Sequence, residues 1–167
     1  MDDKICVTFA GVIGSSKTPI AHYLSCNLDL PILSNDTIRT EVTEDCDGFN
    51  ELEYSKRRDD RSNSLIKNGV SFIYDASIDR FWQDRKKLLL DAGYRILIIS
   101  LDLSKDKLQK IHKSKGYVRN DIDRFIDDHN NFLKIYYRDI GVHITDETFN
   151  NRLDISLDYI KRCLKII

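Results

Sequence analysis

The sequence carries no excess of charge of either sign: 26 Lys and Arg stand against 27 Asp and Glu, a formal net charge of -1. No global field therefore draws nucleic acid or an anionic membrane to the chain, although Lys113, Lys115 and Arg119 crowd into a local basic strip. Long apolar runs are missing too. None approaches the ~20 residues of a membrane span, and no signal peptide is read ahead of the first apolar segment. The cysteines, Cys6, Cys26, Cys46 and Cys163, include no close pair of the kind that chelates zinc. His22, His112, His129 and His143 show no ligand spacing and read as surface or packing residues. Internal repeats and low-complexity tracts are absent. With 41% hydrophobic and 32% charged residues in 167, the composition is that of a soluble globule large enough for one core. A reducing cytoplasm is the compartment these absences predict.

What the chain does have is alternation. Residues 5–10 form a short apolar, β-branched run that fits a strand buried on both faces. Cys6, inside it, reads as a small buried hydrophobe. A Gly-containing loop (11–16) and a helix (17–26) follow, with Pro19 placed in the first turn, where its missing N–H costs little. A second strand (31–34) leads to a helix start at 37–41, and then to an acidic, aperiodic stretch (44–49) that reads as a mobile connection. A charged helix (52–67) closes at Asn68-Gly69. Strand 70–74 ends at Asp75, helix 81–90 exits through Ala92-Gly93, and strand 94–101 carries Ile96-Leu97-Ile98-Ile99, a run that fits burial on both faces. A basic helix (105–113), a break at Lys115-Gly116, a long amphipathic helix (121–137), a weak fifth strand (141–144) and a final helix (151–166) complete the chain. Such alternation predicts one three-layer α/β domain, 1–167, with a five-stranded, mainly parallel sheet. In sheets of this kind ligands gather beyond the carboxyl ends of the strands, where three polar segments fall: 11–18, 34–39 and 75–77.

The first segment reads Gly11-Val12-Ile13-Gly14-Ser15-Ser16-Lys17-Thr18. A phosphate loop asks for Gly, four residues, then Gly-Lys-Ser/Thr, after a strand and before a helix. Gly11, Lys17 and Thr18 are in register, and Gly14 adds a flexible point. The backbone N–H groups of such a loop, here those of Gly14, Ser15 and Ser16, curl around phosphate oxygens at a helix N-terminus. Lys17 would reach the β- and γ-phosphates, and the Thr18 hydroxyl would ligate Mg²⁺. Ser16 stands where the motif has its second Gly, so its side chain is expected to crowd the phosphates, and glycine there to raise affinity or turnover. In Ser34-Asn35-Asp36-Thr37-Ile38-Arg39, Asp36 can accept a hydroxyl proton and Arg39, on the same helical face, can hold an anionic group. Asp36 also reads as an N-cap, a compatible role. Asp75, closing an apolar strand, reads either as support for Mg²⁺ or as an ordinary turn residue.

On these landmarks, and on Arg85 in the helix beyond Asp75, the chain resembles the small P-loop kinases of the zeta-toxin and polynucleotide-kinase-like group, across about residues 5–145. The resemblance implies phosphoryl transfer from ATP or GTP, with Mg²⁺, to a hydroxyl of a small-molecule or nucleotide acceptor. It also implies a lid, here about 112–120, whose arginines close over the phosphates. Relatives usually carry two; residues 108–119 contain one, Arg119, and Lys113 and Lys115 lack the bidentate fork of a guanidinium. These two lysines read equally as a solvated basic loop. Thr145-Asp146 falls where relatives often touch the base. Three functions stay open on the sequence: a kinase in which Lys17, Asp36 and Arg39 act on the substrates; a catalytically degenerate, nucleotide-binding regulator of the same fold; and a protein that binds another phosphorylated ligand in the loop.

Overall fold

In the computed structural model, which describes residues 4–118 and 120–166, the apolar runs become parallel strands and the periodic segments become helices. Strand β1 (Ile5–Gly11) is buried along its whole length and leads through the loop into α1 (Lys17–Leu28). Then come β2 (Ile32–Ser34), α2 (Asn35–Asp45), α3 (Glu51–Lys67), β3 (Phe72–Ser77), α4 (Trp82–Asp91) and β4 (Arg95–Leu101). The chain continues through α5 (Lys105–Ser114), α6 (Ile122–Tyr136), β5 (Ile140–Ile144) and α7 (Arg152–Leu164), with one-turn 3-10 segments before β5 and before α7. The strand order is β2-β3-β1-β4-β5 and every neighbouring pair is parallel. Among the described residues no helix is long and apolar enough to cross a membrane.

Side-chain alternation along β1 divides the core into two layers. Ile5, Val7 and Phe9 pack with Ile20, Ala21 and Leu24 of α1 and with Leu157 and Ile160 of α7. Cys6 and Ala10 face the other way, toward Ile38, Val42, Tyr54, Trp82, Leu89 and Phe132 from α2, α3, α4 and α6. Strands covered on both faces need apolar side chains pointing both ways, which is why β1 and β4 read as apolar runs interrupted only by Thr8 in β1 and by Arg95 and Ser100 in β4.

The element boundaries depart from the sequence expectation at two places that bear on the site. Helix α2 continues through Glu44 and Asp45, which the acidic composition presents as loop. Only Ile38 and Val42, one turn apart, are buried on it, and two of its acidic residues, Glu41 and Asp45, pair with α3 at the surface. Arg57 reaches Glu41 at 2.7 Å and Asp45 at 2.5 Å, and Arg61 adds a second contact to Glu41 at 2.7 Å. Asp75 lies within β3 and does not end it. The β1–β3 register shifts there: Thr8 pairs with Tyr74, but Phe9 pairs with Ser77, so Asp75 and Ala76 have no partner on β1. On its other side Asp75 pairs with Ser34 of β2. That pairing sets the second and third polar segments side by side.

Candidate functional site

Because β1 is central, with β3 on one side and β4 on the other, the chain reverses direction across its carboxyl end, and a cleft of about 1620 Å³ opens there. Val12, Gly14, Ser16, Lys17 and Thr18 line it together with Asp36, Arg39 and Asp75. The structure thus brings most of the residues singled out in the sequence to one place. Arg119 lies outside the described residues.

The loop is folded around its own lysine. Lys17 Nζ donates to Gly11 O at 2.8 Å, Val12 O at 2.7 Å and Ser15 Oγ at 3.3 Å, so the ammonium sits inside the loop. Burial pulls its pKa down to about 8, against the opposing charges of Asp79 and Asp75. Gly14 has φ +75, and a Cβ there would lie 2.7 Å from His112 Nε2. His112, buried on α5, in turn contacts Ile13 O at 2.8 Å. Ser16 adopts φ 86, ψ 29, the left-handed conformation that the motif's glycine takes freely. For a residue with a Cβ this costs about 1–2 kcal/mol. Its hydroxyl is not turned onto the loop, as crowding requires; it accepts a hydrogen bond from Arg152 Nε at 3.1 Å.

The carboxylates follow from the β2–β3 pairing. Thr18 Oγ1 donates to Asp75 Oδ1 at 3.3 Å. Burial raises the Asp75 pKa, while the Thr18 bond and the Lys17 charge work against that rise. Asp36 is exposed near the start of α2, close enough for its charge to act on both Lys17 and Asp75. It does not cap the helix: Ser34 does, accepting from Thr37 N at 3.4 Å. Arg39 lies with its guanidinium 4.1 Å from the Phe49 ring centroid and 4.9 Å from that of Tyr54. Arg58 and Arg85 line the same half of the cleft. Arg85 is held by Ser62 Oγ at 2.8 Å, above the Tyr74 ring. Asn35 donates to Tyr74 Oη at 3.1 Å, but its buried Oδ1 has no donor among the described residues.

Two parts of the site escape a reading of the sequence. The first is a partly buried chain of carboxylates and imidazoles behind the loop. Asp79 accepts from Gly11 N at 3.0 and 3.2 Å, and touches His129 Nδ1 at 3.2 Å. His129 Nε2 meets Asp102 Oδ1 at 3.0 Å, and Asp102 Oδ2 meets His143 Nδ1 at 2.5 Å. Burial disfavours a charge on His129, but the bonds to Asp102 and Asp79 overcome this and hold its pKa up at about 9. A signal for it existed: His129 falls on the apolar stripe of α6, between Ile122 and Phe132, where an imidazole needs buried partners. The second part is Arg152, whose partner Ser16 is 136 residues away in sequence. No spacing rule connects them.

Among solved structures, the fold matches a gluconokinase of Sinorhizobium meliloti with a TM-score of 0.68 and 13% identity, covering 99% of this chain and 96% of that one. It also matches the Deinococcus radiodurans tunicamycin resistance protein (0.65, 14%, 96% and 95%) and a Mycobacterium tuberculosis APS kinase solved with AMPPNP and APS (0.58, 17%, 96% and 98%). The chain therefore has the three-layer, parallel-sheet fold of the small P-loop kinases. Among curated proteins it is 28% identical over 126 residues to the CRISPR-associated endonuclease Cas9 of Staphylococcus aureus, a stretch covering 71% of this chain and 12% of that protein's length. No activity is carried over from so small a share. No family model matches.

Proposed function

We propose that the chain is a kinase: it binds ATP or GTP with Mg²⁺ on loop 11–18 and transfers the γ-phosphoryl group to a hydroxyl of a small-molecule or nucleotide acceptor in the adjoining cleft. The observation that carries this reading is the convergence of Lys17, Thr18, Asp75 and Asp36 at one end of one cleft. An anion entering the loop adds to the counter-charge that Asp79 and Asp75 give the buried Lys17, and the loop N–H groups at the start of α1 add donors and a favourable dipole.

The donor set fits Mg²⁺. Thr18 and Asp75 offer oxygen only, and no larger cluster of ligating residues occurs among the described residues. Mg²⁺ in such sites completes its shell with phosphate and water and needs no protein cage. Its contribution when bound is to neutralise phosphate charge. The acceptor-binding half supplies the rest. Asp36 takes the proton of the acceptor hydroxyl as that oxygen bonds to the γ-phosphorus. The bond from phosphorus to the bridging oxygen breaks, and the nucleoside diphosphate leaves with the electron pair. Arg39 holds an anionic group of the acceptor, and the segment 112–120, with Lys115 and Arg119, closes as a lid.

A second reading, nucleotide binding without turnover, draws on Ser16, whose left-handed backbone a glycine would adopt without cost. The experiment that decides is transfer of labelled γ-phosphate from ATP or GTP to a panel of nucleosides, sugars, amino-sugar antibiotics and 5′-hydroxyl oligonucleotides. Transfer to any of them supports the kinase. Clean nucleotide binding with no transfer favours the regulator.

A further inference from the structure

Two cations are hydrogen-bonded to the phosphate loop with no carboxylate beside them. Arg152, the first residue of α7, donates Nε to Ser16 Oγ and Nη1 to Phe149 O, each at 3.1 Å, and stacks 4.3 Å from the Phe149 ring centroid. Lys115, in the turn after α5, donates to Gly14 O at 2.9 Å. All these acceptors are neutral, and neither cation forms an ion pair among the described residues. The two charges also feel each other: burial, then the Arg152 charge, lowers the Lys115 pKa, and burial lowers that of Arg152.

Like charges drawn together, one of them half-buried, are unfavourable unless an anion completes them. Their anchors say where that anion belongs. Gly14 and Ser16 are residues of the loop whose N–H groups form the phosphate seat, and the cations are fastened to that loop from two different helical elements. Ser16 then has a use that offsets its strained backbone, because a glycine at 16 has no hydroxyl with which to seat the arginine.

We propose that Arg152, seated by the Ser16 hydroxyl, and Lys115 grip the phosphate chain of the bound nucleoside triphosphate, supplying the second positive arm that the arginine-poor lid lacks. This rests on the nucleotide-binding reading above. Ser16, a departure from the motif's glycine, is then half of a device that brings in a guanidinium from the far end of the chain.

The test is calorimetric titration with Mg²⁺–ATP and Mg²⁺–GTP, and separately with adenosine and guanosine, at two salt concentrations. The parent is compared with Arg152→Gln, Lys115→Gln, Ser16→Ala and Ser16→Gly. Loss of one charge-assisted contact predicts a triphosphate affinity about 10-fold or more lower in Arg152→Gln, and several-fold lower in Lys115→Gln. Nucleoside affinity should stay within about 2-fold, because the contacts are to phosphate. Both Ser16 variants should lose part of the Arg152 effect, and neither should weaken binding further in the Arg152→Gln background. An Arg152→Gln protein with parental triphosphate affinity, or with equal losses for triphosphate and nucleoside, overturns the clamp and leaves the kinase reading standing. A parent protein that binds no triphosphate overturns both. If Arg152→Gln does not fold, Lys115→Gln, at an exposed turn, carries the same comparison.

Discussion

Replacing His129 by Gln removes the charge at the centre of the Asp79–His129–Asp102 chain while roughly keeping the volume. The side chain is 6% exposed, as is that of Asp79, so solvent screening is slight. Its pKa stands at about 9 in the folded protein, against 6.5 for an ordinary histidine. A folded-state pKa raised in this way contributes stability that is fully present below about 6.5 and is lost as pH rises through about 9. At 1.36 kcal/mol per unit, the difference amounts to about 3 kcal/mol. In a domain of this size that corresponds to a melting temperature lower by roughly 6–12 °C. The assay is urea unfolding of parent and His129→Gln at several pH values from 6 to 10. Groups away from this chain titrate alike in both proteins, so the pH dependence of the difference reports His129 together with the carboxylates bonded to it. The gap is expected to be widest near pH 6 and to narrow steadily above 7, nearly closing by pH 10. A gap independent of pH would refute the reasoning, because it would mean that His129 packs as a neutral ring. Since Asp79 also holds the Gly11 N–H, loss of His129 should loosen the loop as well.

Two further outcomes are expected. Asp36→Asn should cut turnover by about 10²- to 10⁴-fold, the usual range for losing a general base. Nucleotide affinity should barely change, and because Ser34 is the cap, stability should not fall with it; equal turnover by parent and variant on any accepted acceptor removes Asp36 from the mechanism. Gly141→Ala should destabilise by about 1–3 kcal/mol through overpacking, since a Cβ on Gly141 would lie 1.8 Å from Tyr159 Oη and 2.1 Å from its ring carbon. Thermal unfolding checks this, and an unchanged midpoint would show that Tyr159 swings away freely.

The sheet and the phosphate loop are legible in the sequence because each is a local pattern. Near-continuous apolar runs mark β1 and β4 as strands covered on both faces, and the loop's register depends on eight consecutive residues. The acidic stretch after Val42 is misread for a physical reason: a helix carrying only two buried residues has almost no periodicity, and its carboxylates are matched by arginines on a different helix. Asp36 and Asp75 are visible individually, yet their proximity depends on the β2–β3 register and on the shift at Thr8. The carboxylate–imidazole chain joins residues of four separate segments, and the Ser16–Arg152 bond joins the ends of the chain. Contacts of that kind are properties of the fold, and spacing cannot announce them.

The central claim, that the loop holds a nucleoside triphosphate, is tested most directly by titrating the parent protein and Lys17→Ala with Mg²⁺–ATP and Mg²⁺–GTP in a calorimeter. Loss of the ammonium should weaken binding by about 10- to 150-fold, the worth of one charge-assisted contact. In the parent, affinity should also decline as pH rises past about 8, where the buried Lys17 begins to lose its proton in the free protein. Lys17→Ala should lack that dependence. Absence of any nucleotide binding by the parent, or equal affinity in Lys17→Ala, would contradict the account.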